Sequence, residues 1–432
     1  MKQLRLYYDC LTEDIIWNDN QEEINLIPNC MPNDKGFTFS HFGFLITRAT
    51  GKENWKEYKN KFEITLTNDR SQKYVYVVEP QSVHTDLFES LPELINKDVF
   101  KDIQNDNAIL CISYIQEGDH HKTFYEDVNK FLIDNSISEN NFVFLTNNPN
   151  IEQTDNIFSI DYYYNHVSTV YQQDYIYATS DCRINKLENL DYNKIRDNYF
   201  ICYNRAPKLH RTILISFLLK ENLLDKGLVS LGPIDRIHTE DGDDWKPSSR
   251  NWKTPIYSDK LKEQIKPYWE KVKEKSPMII DIPSDILVDG YISSWKGIYP
   301  KTYNDAYFSL VTSTSFDTPW FHPDEKFWKP LGQFHPFIWI GPPNSLDSLR
   351  RLGFKSFSPW IDESYDEEED CEKRMLMIMN EIRRLCNMSK QEIHEWYYSM
   401  DEVLLHNWRH ILEHNPNPFD KMYNKLYYLQ SL

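Results

Sequence analysis

The chain has 432 residues, of which 40% are hydrophobic and 15% aromatic, enough apolar material for two domains of ordinary size. Acidic residues outnumber basic ones by 66 to 48, and the formal net charge is −18. This charge argues against a surface that wraps nucleic acid, and against docking on anionic membranes. Seven scattered cysteines form neither a disulfide framework nor a C-x-x-C metal pattern, which fits a reducing compartment. Because no leader-like start and no apolar run of membrane-spanning length is present, we expect a soluble, cytoplasmic protein.

The first half of the sequence has the pattern of an α/β domain. Residues 62–67 and 74–80 contain alternating apolar and polar side chains, which is typical of strands with one exposed face. Residues 108–115 form a continuous apolar run, as in a central parallel strand buried on both faces. A helix and a strand at 142–146 follow, and the helix has an apolar stripe formed by Phe124, Val128, Phe131 and Leu132. This order predicts a strand–helix–strand unit.

The second half repeats the α/β pattern after a polar stretch that ends near Asp197. We therefore predict two α/β domains, residues 1–196, with additional N-terminal strands, and residues 197–432, which end in helices. A strongly apolar helix is predicted at 209–224. Further strands are predicted at 199–203, 228–231, 278–282, 306–311 and 336–340.

A first group of basic and polar residues follows the strand at 199–203 and opens the next helix. It contains Asn204, Arg205, Lys208, His210 and Arg211. In open α/β sheets, ligands bind beyond the carboxyl ends of strands, and a helix N-terminus favours an anion. The group therefore predicts a phosphate site. The alternative is a capped helix with solvated basic side chains.

A second group lies at the start of a short helix that leads into the apolar strand at 336–340. Lys326 and Lys329 offer positive charge to a phosphate, and Glu325 can accept hydrogen bonds from sugar hydroxyls. The alternative is a Glu–Lys ion pair on the surface of an amphipathic helix.

A third group follows the buried run at 108–115. Here Glu117 or Asp119 is a candidate general base toward an acceptor hydroxyl. An ordinary polar turn is the alternative. A carboxylate at the end of a central strand would be well placed for catalysis if a ligand binds beyond that strand.

We expect no metal site. Asp241 and Asp243 form a D-x-D pair of the kind that holds a divalent ion, but no further ligand pattern accompanies it, so a solvated acidic loop is favoured. The histidines lack the spacing of zinc ligands. The acidic run at 366–370 is interpreted as a solvated face ahead of a helix.

Residues 199–366 resemble the C-terminal donor domain of the α1,3-fucosyltransferase family, and still more closely glycosyltransferase-like proteins encoded by large DNA viruses and phages. The resemblance is carried by Asn204, Ala206-Pro207 and Arg211, by Glu325-Lys326, and by the stretches at 336–342, 349–357 and 361–366. Asp324 stands where the family usually has Thr, and Thr314 lies where a carboxylate or amide is common.

The resemblance implies a GT-B architecture, with two Rossmann-like domains facing a cleft, and an inverting transfer that requires no metal or other cofactor. It implies that Arg211 and Lys326 bind the diphosphate of a nucleotide-sugar donor, Glu325 the ribose or the sugar, and Asn204 the loop near the phosphates. The acceptor would be a hydroxyl of a glycan, a protein or modified DNA. An inactive carbohydrate- or nucleotide-binding protein of the same fold and a sugar-nucleotide epimerase are the alternatives.

Overall fold

The computed structural model describes residues 3–7, 37–38, 60–80, 87–114, 124–148, 151–161, 164, 167–168, 187, 190–234, 257–280, 287–288, 291–292, 299–316, 323–413 and 419–432. The chain divides into two compact units. The first comprises Met1–Thr169 with Pro416–Leu432, and the second Val170–Asn415. Each unit is built around a parallel sheet with helices packed on it, so the predicted α/β class with two Rossmann-like units is confirmed.

The first unit contains the strands β1 (Arg5–Tyr7), β2 (Phe37–Thr38), β3 (Thr65–Thr67), β4 (Tyr74–Pro80), β5 (Ala108–Tyr114), β6 (Phe142–Thr146) and β7 (Ile157–Ser159). The sheet order is β3-β1-β4-β5-β6-β7, with parallel neighbours throughout, and β2 pairs antiparallel with the end of β4. Its helices are α1 (Leu87–Leu94), α2 (Lys97–Gln104) and α3 (Phe124–Asp134), with a 3-10 turn at Glu139–Asn141.

The continuous apolar run of β5 is explained by its central position. Every residue of the strand is buried, because β4 and β6 flank it and apolar clusters cover both faces. On one face, the predicted stripe of α3 packs into a cluster with Tyr74, Leu110 and Phe144. The predicted strands and helix of this half are thus confirmed, although the strand expected at 62–67 is reduced to Thr65–Thr67.

The second unit contains β8 (Asn198–Cys202), β9 (Gly227–Val229), β10 (Leu287–Val288), β11 (Tyr291–Ile292), β12 (Ala306–Thr312) and β13 (Phe337–Ile340). Its parallel sheet has the order β13-β12-β8-β9, while β10 and β11 form an antiparallel pair. Its helices are α4 (Leu209–Lys220), α5 (Asp259–Lys275), α6 (Pro300–Asn304), α7 (Glu325–Trp328), α8 (Leu346–Arg351), α9 (Cys371–Cys386), α10 (Lys390–Tyr398) and α11 (Asp401–Glu413). Among its described residues, 3-10 turns lie at Leu224–Lys226, Lys329–Gln333 and Glu363–Glu367.

Two predictions about the second half are wrong. The strand expected at 278–282 is not formed by its described residues, since Met278 makes an isolated bridge with Leu231. The acidic run at 366–370 is not a uniformly solvated face, because Asp366 is 4% exposed. Its carboxylate accepts hydrogen bonds from the backbone N–H groups of Ser345 (3.1 Å) and Leu346 (3.0 Å), at the start of α8.

The last helix, α12 (Phe419–Ser431), belongs to the first unit although it ends the chain. It packs on the face of the sheet opposite α3, where Met422, Tyr423, Leu426 and Leu429 are buried with residues of β1, β4 and β5. The observed division therefore differs from the predicted domains, 1–196 and 197–432, at both ends of the second unit. Among the described residues, no helix has the length and apolar character required to cross a membrane.

Candidate functional site

A pocket of about 210 Å³ lies in the second unit, beyond the carboxyl ends of β8 and β12. A cavity needs roughly 10–15 Å³ of this volume to hold one water molecule, so the pocket has room for a group of about ten or more non-hydrogen atoms, such as a diphosphate. Its described lining comprises Ile201, Tyr203, Asn204, Arg205, Ala206, Lys208, Arg211, Tyr303, Ser309, Leu310, Val311, Thr312, Thr314, Glu325, Lys326, Lys329 and Pro330.

The pocket is positively charged, although the chain as a whole has a net charge of −18. Among the described residues that line it, Glu325 is acidic and the basic ones are Arg205, Lys208, Arg211, Lys326 and Lys329. Clustered cations with low-dielectric walls attract anions over a distance, so the charge of the lining favours an anionic ligand.

Arg211 is held rigidly at the base of this charge cluster. It is 3% exposed, and its guanidinium donates to the carbonyls of Ala206 (3.1 Å) and Ser313 (2.7 Å). Burial lowers the pKa of this guanidinium below its ordinary value, although the nearby Asp324 and Glu325 carboxylates raise it in part. Its Nε has no hydrogen-bond partner among the described atoms. The side chain therefore braces the strand ends and keeps a buried positive charge beside the pocket.

Asp324, Glu325 and Lys326 form a compact charged cluster. The Lys326 ammonium donates to Asp324 Oδ2 (3.1 Å) and Glu325 Oε1 (3.0 Å). Asp324 also caps α7 by accepting from the Lys326 backbone N–H, and it accepts from the backbone N–H and the hydroxyl of Thr314. Burial lowers the pKa of the Lys326 ammonium, but the two carboxylates raise it by more, so the lysine stays protonated.

Asn204 and Lys208 join the loops that follow the two central strands. The Asn204 side chain accepts from the hydroxyl of Thr312 (2.6 Å), and its backbone N–H donates to Ser230 Oγ (3.1 Å). The Lys208 ammonium donates to the carbonyl of Thr314 (2.7 Å). These bonds fix the loop after β8 against the end of β12, which gives the pocket a preformed wall.

Gly232 allows this loop to lie close to its neighbour. A Cβ added at Gly232 would lie 2.0 Å from the carbonyl oxygen of Arg205, a separation at which the backbone must move. The glycine therefore permits the turn that carries Arg205 into the lining of the pocket.

A second part of the pocket is apolar and aromatic. Tyr203 and Tyr303 meet edge-to-face, with ring centroids 5.9 Å apart, and Ile201, Leu310 and Pro330 add aliphatic surface. The Tyr203 hydroxyl is hydrogen-bonded to the hydroxyl of Thr302. One pocket thus combines an anion-binding part with a part suited to a flat apolar ring.

The structure brings the predicted donor-binding residues together. Asn204, Arg205, Arg211, Glu325, Lys326 and Lys329 all line this pocket. The alternative of a surface Glu–Lys pair is wrong, because Glu325 is 4% exposed. The proposed bases Glu117 and Asp119 lie outside the described residues, as do Asp241 and Asp243.

The sequence interpretation missed several lining residues. Lys208 was included in the basic group that predicts a phosphate site, but it was not singled out as a donor-binding residue. Ser309 is a polar residue within an apolar strand, and Tyr303 lies just before that strand. A polar side chain in such a run requires a buried partner, and this was the signal available for Ser309.

No described group of three or more His, Cys, Asp or Glu side chains is arranged to hold a metal ion. The nitrogen donors of the basic residues that line the pocket favour an anion over a cation.

No protein-family model and no curated protein matches the chain. Among solved structures, it is similar to a mutant of S. aureus TarM in complex with fondaparinux, alpha-GlcNAc-glycerol and UDP, with 11% sequence identity and a TM-score of 0.30. The match covers 76% of this chain and 54% of that one, so the chain spans about half the length of its structural relative. The function proposed below is argued from the pocket itself.

Proposed function

We propose that the pocket binds the diphosphate of a nucleoside-diphosphate sugar and that the protein transfers the sugar to a hydroxyl acceptor. One observation carries the proposal: basic side chains from two separate segments, 204–211 and 324–329, line a single pocket beyond the carboxyl ends of parallel strands. The adjoining aromatic part adds support, because a nucleoside diphosphate joins a flat ring to a compact anion.

In this proposal the charge cluster acts on the leaving group. As the acceptor oxygen bonds to the anomeric carbon, the bond from that carbon to the diphosphate breaks and negative charge grows on the departing oxygens. Arg211 and Lys326, with Lys208 and Lys329 beside them, stabilise that charge without a metal. Glu325 is proposed to accept hydrogen bonds from the ribose or the sugar.

The acceptor proton requires a base. We assign this role to Glu117 or Asp119, which follow the central strand of the first unit in the sequence. Transfer is then an inverting displacement. The family resemblance suggests a fucose-like sugar, and a hydroxyl of a glycan, protein or modified DNA as acceptor.

The test measures nucleoside-diphosphate release and product formation with a panel of UDP- and GDP-linked sugars, fucose included, with and without glycan acceptors. Loss of Lys326 in Lys326→Met should weaken binding by roughly 10- to 100-fold, the value of a charge-assisted hydrogen bond. Lys61→Met is the matched control, since this lysine also pairs with a carboxylate, that of Asp420 at 2.8 Å, and does not line the pocket.

Each alternative gives a different result in this assay. Tight binding of the donor without release of the nucleoside diphosphate identifies an inactive binding protein. Conversion of the donor sugar into its epimer in the absence of an acceptor identifies an epimerase. Absence of any nucleoside-diphosphate binding refutes the proposal. Activity should survive EDTA, and a loss of activity that Mg²⁺ restores contradicts metal-independent transfer.

A further inference from the structure

A buried histidine fixes the hydroxyl orientation of a serine in the wall of the pocket. Ser309 lies in β12, opposite Ile201 of β8 in the sheet register, and both residues line the pocket. The Ser309 Oγ lies 2.9 Å from Nδ1 of His335. Ser309 is 3% and His335 1% exposed, so water does not compete for this bond.

The other side of the imidazole determines which atom carries the proton. His335 Nε2 lies 2.6 Å from the carbonyl oxygen of Tyr303 and 3.3 Å from Nη1 of Arg196. Since a carbonyl only accepts, the shorter contact assigns the proton to Nε2, which donates it to Tyr303, and the longer contact with Arg196 is then not a hydrogen bond. The Arg196 guanidinium donates to the same carbonyl at 3.2 Å, which holds this acceptor in place.

The ring is neutral at ordinary pH, because burial and the Arg196 charge lower the pKa of His335 to about 3. In a neutral imidazole whose Nε2 is protonated, Nδ1 is an acceptor. The Ser309 hydroxyl therefore donates its single proton to Nδ1. The serine oxygen then has lone pairs but no proton to offer to a ligand in the pocket that Ser309 lines.

This acceptor lies in the apolar part of the pocket. Ile201, Leu310 and Tyr303 line the wall around it, and the basic side chains come from the segments 205–211 and 326–329. A ligand group placed against Ser309 is matched if it has an N–H, and it is repelled if it has only lone pairs. A flat base fits such a wall better than a sugar ring, whose several hydroxyls each require a polar partner.

We propose that Ser309 is a specificity-determining residue that accepts a hydrogen bond from an N–H group on the base of the bound nucleoside diphosphate. The inference rests on the function proposed above and adds to it the recognition of the base by Ser309. His335 acts as a positioning residue, because it accepts the hydrogen bond that orients the serine hydroxyl but does not itself line the pocket.

Isothermal titration calorimetry on the full chain tests the inference with UDP, GDP, ADP and CDP. The diphosphate that binds tightest is compared with an analogue of nearly the same shape that lacks the N–H, such as purine riboside 5′-diphosphate, which has no 6-amino group, for ADP. In the wild type, we expect the analogue to bind about tenfold more weakly, the value of one hydrogen bond to a buried partner. In Ser309→Ala, the ratio of the two dissociation constants should fall to about two or less.

Ser348→Ala serves as the control, because Ser348 is also buried, accepts a hydrogen bond from Arg351 at 2.8 Å and does not line the pocket. It should keep the wild-type ratio. The comparison of ligands in the wild type does not depend on the folding of any variant.

Equal ratios in the wild type and in Ser309→Ala overturn the inference. A ratio near one in the wild type overturns it as well. So does the finding that Ser309 contributes to affinity through the ribose 2′-hydroxyl instead of the base. The proposed function stands in these cases if Lys326→Met still weakens the binding of the same diphosphate. If neither a nucleoside diphosphate nor pyrophosphate binds the wild type, the proposed function and this inference both fail.

Discussion

The charged cluster at the start of α7 predicts that two substitutions differ strongly in their effect on the free energy of unfolding. Lys326→Met leaves the carboxylates of Asp324 and Glu325, 3% and 6% exposed, without their shared ammonium. Removal of one partner from a buried ion pair costs about 3–5 kcal/mol. Asp324→Asn keeps the size of the side chain and leaves Lys326 paired with Glu325 at 3.0 Å, so its cost is about 1–2 kcal/mol.

The magnitude is consistent with the geometry. At 3.1 Å and an effective dielectric constant of about 20, the attraction between Lys326 and Asp324 is at most about 5 kcal/mol. The double variant should cost less than the sum of the single ones, by about 1–3 kcal/mol, because the aspartate charge is no longer left unpaired.

Equilibrium unfolding in urea measures these differences, followed by both tryptophan fluorescence and far-UV circular dichroism. Only transitions on which the two probes agree are compared, since a chain with two units can unfold in steps. The reasoning is refuted if Asp324→Asn costs as much as Lys326→Met, or if the two costs simply add.

The same two variants should shift pyrophosphate affinity in opposite directions. Asp324→Asn removes a negative charge beside the anion site, so the affinity should rise several-fold, whereas Lys326→Met removes a positive charge and should lower it. Calorimetry at fixed salt concentration measures both, with Lys61→Met as control. Weaker binding in both variants would contradict the proposed electrostatic role of the cluster.

Three further predictions concern other residues. Arg211→Lys should lower the unfolding free energy by about 2–3 kcal/mol, because lysine cannot reproduce the forked bonds to the strand-end carbonyls, and urea unfolding measures it. Burial raises the pKa of Asp366 to about 6, above its unfolded value, so the native state binds more protons between these values. The contribution of Asp366 to stability should therefore fall by up to about 3 kcal/mol as the pH rises from about 4 to 6, so the unfolding free energy of the wild type in urea should fall by that amount relative to Asp366→Asn. Glu117→Gln or Asp119→Asn, whichever removes the base, should lower kcat for transfer by about 10²- to 10⁴-fold while calorimetry shows unchanged donor affinity.

Local patterns were sufficient to predict the elements on which the site depends. The run at 108–115 became the fully buried β5, and the prediction for 142–146 matches β6, because strands buried in a parallel sheet must be apolar over most of their length. Basic residues directly after a strand were placed correctly at its carboxyl end, since the strand end itself fixes where the following residues lie. The second group, more than a hundred residues away, was assigned to the same diphosphate by the family resemblance, because it does not directly follow a strand.

Tertiary partners could not be predicted in the same way. The orientation of Ser309 depends on His335 and on the Tyr303 carbonyl, which meet only when β12 and β13 pair. The burial of Asp366 depends on the backbone N–H groups at the start of α8, which the acidic run does not reveal. Likewise, the apolar stripe of α12 shows that one side is covered, but not which sheet covers it.

The packing of α12 has a consequence for biosynthesis. The first unit needs residues from both ends of the described chain, and the gap between them is the whole of the second unit. On the ribosome, β1, β4 and β5 emerge early, but the helix that covers one face of their sheet emerges only after the whole of the second unit. Until then, Leu4, Val75 and Cys111 are not covered by α12, and the nascent chain exposes an apolar surface to which a chaperone can bind.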